Sequence, residues 1–369
     1  MSKILRVFAR EILDSRGWPT IETAIQSDNG QIVLSSVPAG MSTGITEDLE
    51  LRDNDPKRYK GKGVLKAVEN VNKILGPSII GIDPTRQFEI DQKMITLDGS
   101  KNKGVLGANA ILSISQTVAK AGAVAAGTSL YRWTFELAKA QGATQDGIPT
   151  RIPTPVFNMI NGGLHGAGNL DFQEFQIIPA SSKPYYLALQ SGCEIYFALK
   201  EALIRRGAIH SIGDEGGYAP NLFTNADAMT INLEAISSCG YQIGQDFFLG
   251  LDVAANILYK DGSYSIKDRS NALNTNSLIS FFEDLAKEYR LTYLEDPLQE
   301  TDWQGWSTIT QKLGGNVIIV GDDLLATDPT RVKKAIEVKA CNAILIKPNQ
   351  IGTITETLQV IKLARSANW

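Results

Sequence analysis

Four short apolar runs in the second half of the chain each end on charged residues, and this arrangement constrains the fold more than any other feature. They occupy residues 248–252, 291–296, 317–323 and 343–347, ending at Asp252, at Glu295 and Asp296, at Asp322 and Asp323, and at Lys347. Runs this short and rich in Val, Ile and Leu read as strands buried on both faces, as in a parallel sheet. From Asp252 through Glu295 and Asp322 to Lys347 the tips lie 43, 27 and 25 residues apart. Each interval holds a strand, a helix and two short loops, so successive crossovers carry the four tips to the same end of one sheet.

A chain of 369 residues suits two or three domains, or one small domain and one barrel. Apolar residues make up 43%, with 33 Gly and 14 Pro, a globular composition that excludes disorder and collagen. Thirty-six Lys and Arg against 40 Asp and Glu give a net charge of −4, which creates no field to attract a polyanion. Nucleic acid is therefore not expected as a partner, and the basic stretch 57–62 reads as a solvated face. The N-terminal residues Met1 to Arg6 lack the apolar run of a signal peptide, and no segment reaches the length of a membrane span. A cytoplasmic protein without membrane insertion is expected. Cys193, Cys239 and Cys341 are odd in number, widely spaced and mostly flanked by apolar or small residues, which suits reduced buried thiols better than disulfides or a zinc site.

Taken in order, residues 4–8, 20–26 and 31–37 read as strands, with Asp28-Asn29-Gly30 as a hairpin turn. A glycine-bracketed loop, 39–44, follows and by composition is a plain connection. Helical pattern at 63–75 and 106–126 completes a small N-terminal α+β domain, 1–140. A polar linker with Gly142, Gly147, Pro149 and Pro153 leads into 141–369. There, strand-like runs at 155–159, 172–178 and 208–212 precede the four already described, giving seven strand candidates with helices between most of them. One helix carries Leu278, Phe281, Phe282, Leu285 and Tyr289 on one face, and another opens at Thr353 with Glu356 as a capping box and faces Ile354, Leu358 and Ile361 inward. Seven strands are one short of a (β/α)8 barrel, whose chemistry sits at the C-terminal strand ends. A doubly wound open sheet competes, but it concentrates its site at one switch point, whereas the charged tips here come from four successive strands.

Asp252, Glu295 and Asp322 are three hard oxygen donors on neighbouring tips, a set suited to Mg2+. Without a cation they read instead as unrelated acids at loop starts. A lysine beside a bound cation is disfavoured as ammonium, so Lys347 can serve as a general base; a salt bridge to Asp322 or Asp323 is the alternative. Two glycine loops, 161–168 with His165 and 213–217 with Glu215, let backbone approach a ligand closely, and Gln173 and Glu174 follow the first. His210, in an apolar run, reads as structural. There is no GxxxxGK[ST] motif and no strand followed by GxGxxG, so nucleotide cofactors lack support. Metal, lysine and glutamates together suggest proton removal beside a carboxylate, with the enolate charge stabilised by the cation.

These residues sit in motifs that resemble the enolase family of glycolytic phosphopyruvate hydratases. They are Ile12-Leu13-Asp14-Ser15-Arg16-Gly17, Gly61-Lys62-Gly63-Val64, Asn161-Gly162-Gly163, Gln173-Glu174-Phe175, Gly213-Asp214-Glu215-Gly216-Gly217, Leu294-Glu295-Asp296-Pro297, Gly321-Asp322-Asp323-Leu324 and Leu345-Ile346-Lys347-Pro348-Asn349-Gln350, in the family's order along the chain. The resemblance implies an α/β, enolase-type barrel whose second strand runs antiparallel, behind an N-terminal α+β capping domain. It implies reversible dehydration of 2-phosphoglycerate to phosphoenolpyruvate, with Lys347 taking the C2 proton, Glu215 protonating the C3 hydroxyl and Glu174 supporting that acid. Asp252, Glu295 and Asp322 are implied to hold one Mg2+ and Ser42 a second that arrives with substrate, which makes loop 39–44 a lid. His165 and Gln173 are implied substrate contacts, and a homodimer or larger assembly is expected. The lid departs from the family pattern at Ala39, Met41 and Thr46, and the family's eighth strand with its His-Arg-Ser segment has no counterpart before Trp369. The alternative is therefore a truncated, catalytically impaired paralogue that acts as a binding or assembly protein.

Overall fold

The computed structural model describes residues 2–40, 44, 46–144, 147–166 and 168–369. They form two compact units that interleave along the chain: Met1–Thr150 with Ala326–Lys333 and Leu345–Trp369, and Arg151–Leu325 with Lys334–Ile344. No helix among the described residues is long and apolar enough to cross a membrane.

In the first unit, β1 (Ile4–Leu13), β2 (Pro19–Ser27) and β3 (Ile32–Ser36) form the expected antiparallel meander, in that order. Gly30 at φ +83° lets its N–H return to the Ser27 carbonyl at 2.9 Å and close the second turn. Alternation along the strands turns Ile4, Val7, Ile21 and Ile25 inward, against Val71, Leu75, Ile111, Ile114 and Val118. Each such side chain, fully buried, contributes about 1.5–3 kcal/mol. The first predicted helix is interrupted. Leu65–Asn70 widens into a π turn at Val71–Leu75 before Gly76–Ile79, and Asn72 within that turn bonds the Ala9 backbone N–H at 2.7 Å and its carbonyl at 3.0 Å. The second, Ala108–Ala125, is continuous.

The C-terminal segment belongs to this unit. Thr353 caps the helix Ile354–Ser366 by accepting the Glu356 N–H at 3.1 Å. Its buried positions include Thr355, Leu358 and Val360, while Ile354 and Ile361 are only half-buried, a shift from the expected face. The cause is Asp91, fully enclosed, whose carboxylate accepts from the Thr355 hydroxyl at 2.6 Å, the Thr355 N–H at 3.1 Å and Gln87 Nε2 at 3.0 Å. A second buried cluster joins Lys103 Nζ to Asp48 at 2.7 Å and to Glu356 at 3.0 Å.

The second unit is built on a mixed six-stranded sheet. Its strands are β4 (Phe157–Asn161), β5 (Glu174–Pro179), β6 (Phe247–Asp252), β7 (Leu291–Glu295), β8 (Ile318–Gly321) and β9 (Ala343–Ile344), hydrogen-bonded in the order β9-β8-β7-β6-β5-β4. β5 runs antiparallel to both neighbours and the later pairs are parallel. Helices Tyr185–Arg205, Asn225–Ser238, Thr275–Tyr289 and Trp303–Leu313 lie between successive strands. In Thr275–Tyr289 the five predicted face residues are all buried, and Phe281 and Phe282 meet Phe172 at ring distances of 6.4 and 5.8 Å.

Two strand expectations need correction. Residues 208–212 form no strand; Ile212 makes a single bridge to Tyr218, and Tyr218 instead bridges Ile160 of β4 in parallel. Gly207 at φ +64° ends the preceding helical turn, and Ile209 and Ile212 are 48% and 63% exposed, so the run lacks the burial that a central strand requires. The last strand is also shorter than its apolar pattern. Only Ala343 and Ile344 pair with β8, and Leu345 begins the segment that packs in the first unit.

Candidate active site

Strand register gathers the acids of the second unit. Glu174 of β5 pairs with Asp252 of β6, and Asp252 pairs with Glu295 of β7. Glu295 in turn pairs with Val320 of β8, which puts Asp322 two residues beyond the same row. Paired positions on adjacent strands share a face, so three carboxylates follow one another across the sheet edge at strand spacing. Asp252 and Glu295 are each 5% exposed and Asp322 is 9% exposed. Gln173 Nε2 donates to Asp252 Oδ2 at 2.9 Å, Gln176 Nε2 to Glu174 Oε2 at 3.0 Å, and the Tyr293 hydroxyl to Glu295 Oε2 at 2.5 Å.

Burial and mutual repulsion dominate the electrostatics. Asp252 is pushed well above the ordinary carboxylate range, first by burial and then by Glu295, Glu174 and Asp296. Asp296 is pushed the same way by burial, then by Asp322, Asp323 and Glu295. Tyr293 is held as the neutral phenol by burial and by Glu295.

Asp296 and Asp323 join the cluster, although sequence reading had assigned neither to the site. Oxygens of Asp296, Asp322 and Asp323 lie within 4.8 Å of one another. Consecutive residues on a regular strand face opposite ways, so regular geometry would turn Asp296 away from the side of Glu295. The backbone at Asp296 adopts φ +41° and breaks that alternation. Its carboxylate turns back to accept the N–H groups of Asp322 at 3.1 Å and Asp323 at 2.7 Å. The proline that follows the Glu295-Asp296 pair is the one sequence signal of this irregularity. The carboxylate oxygens of Asp296, Asp322 and Asp323, the first two buried, match Mg2+ in ligand hardness, and a divalent cation would relieve their repulsion.

The two glycine loops lie against each other. A Cβ on Gly213 would sit 2.9 Å from the His165 carbonyl oxygen, and one on Gly217 would collide with Asn161 Oδ1. These glycines let the loop bearing Glu215 close down on the loop bearing His165. Glu215 itself is at the exposed tip of its turn. His165 Nδ1 is 3.4 Å from Glu174 Oε1, and neither buried ring nitrogen has a hydrogen-bond partner. Asn161, 1% exposed, likewise keeps an unpartnered Nδ2. Unpaired buried polar atoms are uncommon in a native fold, and a polar ligand or water at this place would satisfy these.

The second unit thus brings together Gln173, Glu174, Asp252, Glu295 and Asp322, with His165 beside Glu174 and Glu215 on the neighbouring loop. Lys347 belongs to the first unit, where it is extended before the helical turn Pro348–Ile351 and its N–H donates to Thr327 Oγ1 at 3.0 Å. His210 is exposed, and its Nδ1 lies 3.4 Å from the Ala208 carbonyl. Ser42 lies outside the described residues.

Family comparison covers both units. A model described as the enolase N-terminal domain matches residues 4–134, and one described as the enolase C-terminal TIM barrel domain matches residues 149–369.

Proposed function

The chain belongs to the enolase family, and on that premise we propose that it interconverts 2-phosphoglycerate and phosphoenolpyruvate in glycolysis and gluconeogenesis. The observation that carries this reading is the in-register row of Glu174, Asp252 and Glu295, with Asp322 beyond it, inside a chain that also supplies Lys347 and Glu215. Asp252, Glu295 and Asp322 would hold a Mg2+ ion, and Ser42 would be a ligand of a second one that comes with substrate. When bound, Mg2+ supplies positive charge for the enolate oxygens.

Lys347 takes the proton from C2, and Glu215 gives a proton to the departing C3 hydroxyl, which leaves as water. Glu174 supports that acid, since a neighbouring carboxylate favours retention of the proton. His165, with its unpartnered ring nitrogens, and Gln173 contact substrate. Residues 1–140 act as the capping domain and 141–369 as the catalytic part. The assembly is a cytoplasmic homodimer or larger.

The test is coupled turnover of 2-phosphoglycerate with Mg2+, alongside Lys347→Ala. Loss of about 10²–10⁴-fold in the variant is expected for removal of a general base. Folded wild-type protein no faster than the variant would refute the reading and leave the binding or assembly role.

A further inference from the structure

The turn that presents Glu215 is gripped by a residue outside the acid and metal-ligand sets. Within the turn, the Gly213 N–H donates to the Gly217 carbonyl at 2.8 Å and the Gly216 N–H to the Gly213 carbonyl at 3.0 Å. Asn161 fills the space against Gly213 and Gly217 on one flank. On the other stands the helix Tyr185–Arg205, whose Tyr196 hydroxyl donates to the Gly216 carbonyl at 2.8 Å. The Tyr196 ring stacks on Tyr218, with centroids 4.4 Å apart and planes at 17°. Tyr218 is itself buried, and its backbone bonds Met159 at 2.9 Å and Asn161 at 2.8 Å.

We infer that Tyr196 is a positioning residue for Glu215. Its hydroxyl holds the carbonyl of the adjacent residue, and its ring is fixed on a side chain anchored to β4. The inference rests on Glu215 being the acid. An exposed glutamate on a glycine-flanked turn has wide freedom, whereas an acid must meet its oxygen within hydrogen-bond reach. The helix is anchored independently by buried Ile195, Leu199 and Leu203, so the hydroxyl bond at its solvent edge serves the turn and not the core.

Tyr196→Phe keeps the stacked ring and deletes the bond. With Mg2+ and 2-phosphoglycerate, kcat is expected to fall about 10- to 100-fold, as for a small misplacement of a reacting group. KM stays within about twofold, the pattern of a loss confined to the transition state. Amide exchange at residues 213–217 accelerates. Tyr241→Phe, which deletes a 2.9 Å hydroxyl bond to Glu194 on the same helix, leaves kcat and that exchange unchanged. Unchanged kcat in Tyr196→Phe, or an equal fall in Tyr241→Phe, overturns the inference. A wild-type protein without turnover refutes the enolase reaction instead. In that sample faster exchange confined to 213–217 in Tyr196→Phe still supports the clamp, and unchanged exchange overturns it.

Discussion

Asp252 and Glu295 are register partners on adjacent parallel strands, and both carboxylates are buried. Without a cation this pairing destabilises the fold. Burial and its neighbours raise Asp252 above its ordinary value of 3.8, so its contribution to stability is complete below that value and is lost as pH rises through the raised one. In EDTA at neutral pH, Asp252→Asn is therefore expected to raise Tm. Mg2+ at a hundredfold excess over Kd stabilises the wild type by about 2.7 kcal/mol. The same titration leaves the variant almost unmoved. Scanning fluorimetry with and without Mg2+ measures both, and a full Mg2+ response in Asp252→Asn removes this residue from the ligand set.

The buried Lys103 cluster gives a pH dependence of its own. Burial pushes Asp48 up to about 6 against the pull of Lys103, whereas Lys103 is raised because Glu356 and Asp48 together outweigh its burial. The two directions are consistent with one ammonium shared by two carboxylates. Stability from Asp48 is thus present below about pH 4 and lost as pH rises through about 6. Urea denaturation should show the wild type losing ground relative to Asp48→Asn across that interval. Lys103→Met leaves both carboxylates without their cation and costs about 3–5 kcal/mol.

Thr355→Val removes a hydroxyl that donates to fully enclosed Asp91 at 2.6 Å. The carboxylate keeps its bonds to Gln87 and to the Thr355 N–H but loses its shortest donor. A loss of about 1–3 kcal/mol is expected from the urea midpoint. A change below a few tenths would mean that the helix Ile354–Ser366 is held by its apolar face alone.

Gly217→Ala places a methyl group against Asn161 Oδ1, which is packed beneath the Glu215 turn. The turn must lift, at a cost of about 1–3 kcal/mol. Turnover is expected to fall further than stability does, because the displaced backbone carries Glu215, the proposed acid. Equal kcat in the variant would dissociate this contact from catalysis.

The tips at Asp252, Glu295 and Asp322 were legible because strand ends in a parallel sheet are set by crossover length and register, both of which leave a spacing pattern. Helix Thr275–Tyr289 was legible for the same reason, its apolar period matching its buried face. Residues 208–212 were misread because a short apolar run records hydrophobicity but not whether anything covers it. Leu345 and Ile346 share the pattern of the strand before them. Pro348 restrains Lys347 to extended backbone, at φ −127°, so sequence alone does not mark where pairing stops. The turn of Asp296 back into the cluster is not legible in the sequence, because alternation assumes regular strand dihedrals and its φ is positive.

The bond from Thr355 to Asp91 joins residues 264 positions apart. On a ribosome, the meander and the helix Ala108–Ala125 emerge early, yet Asp91 stays without this partner until residue 355 is delivered. Every strand of the second unit is synthesised in the interval. The first unit thus gains this bond only after the described strands of the second unit have been made, and its long-range closure is expected to be a slow late step in folding.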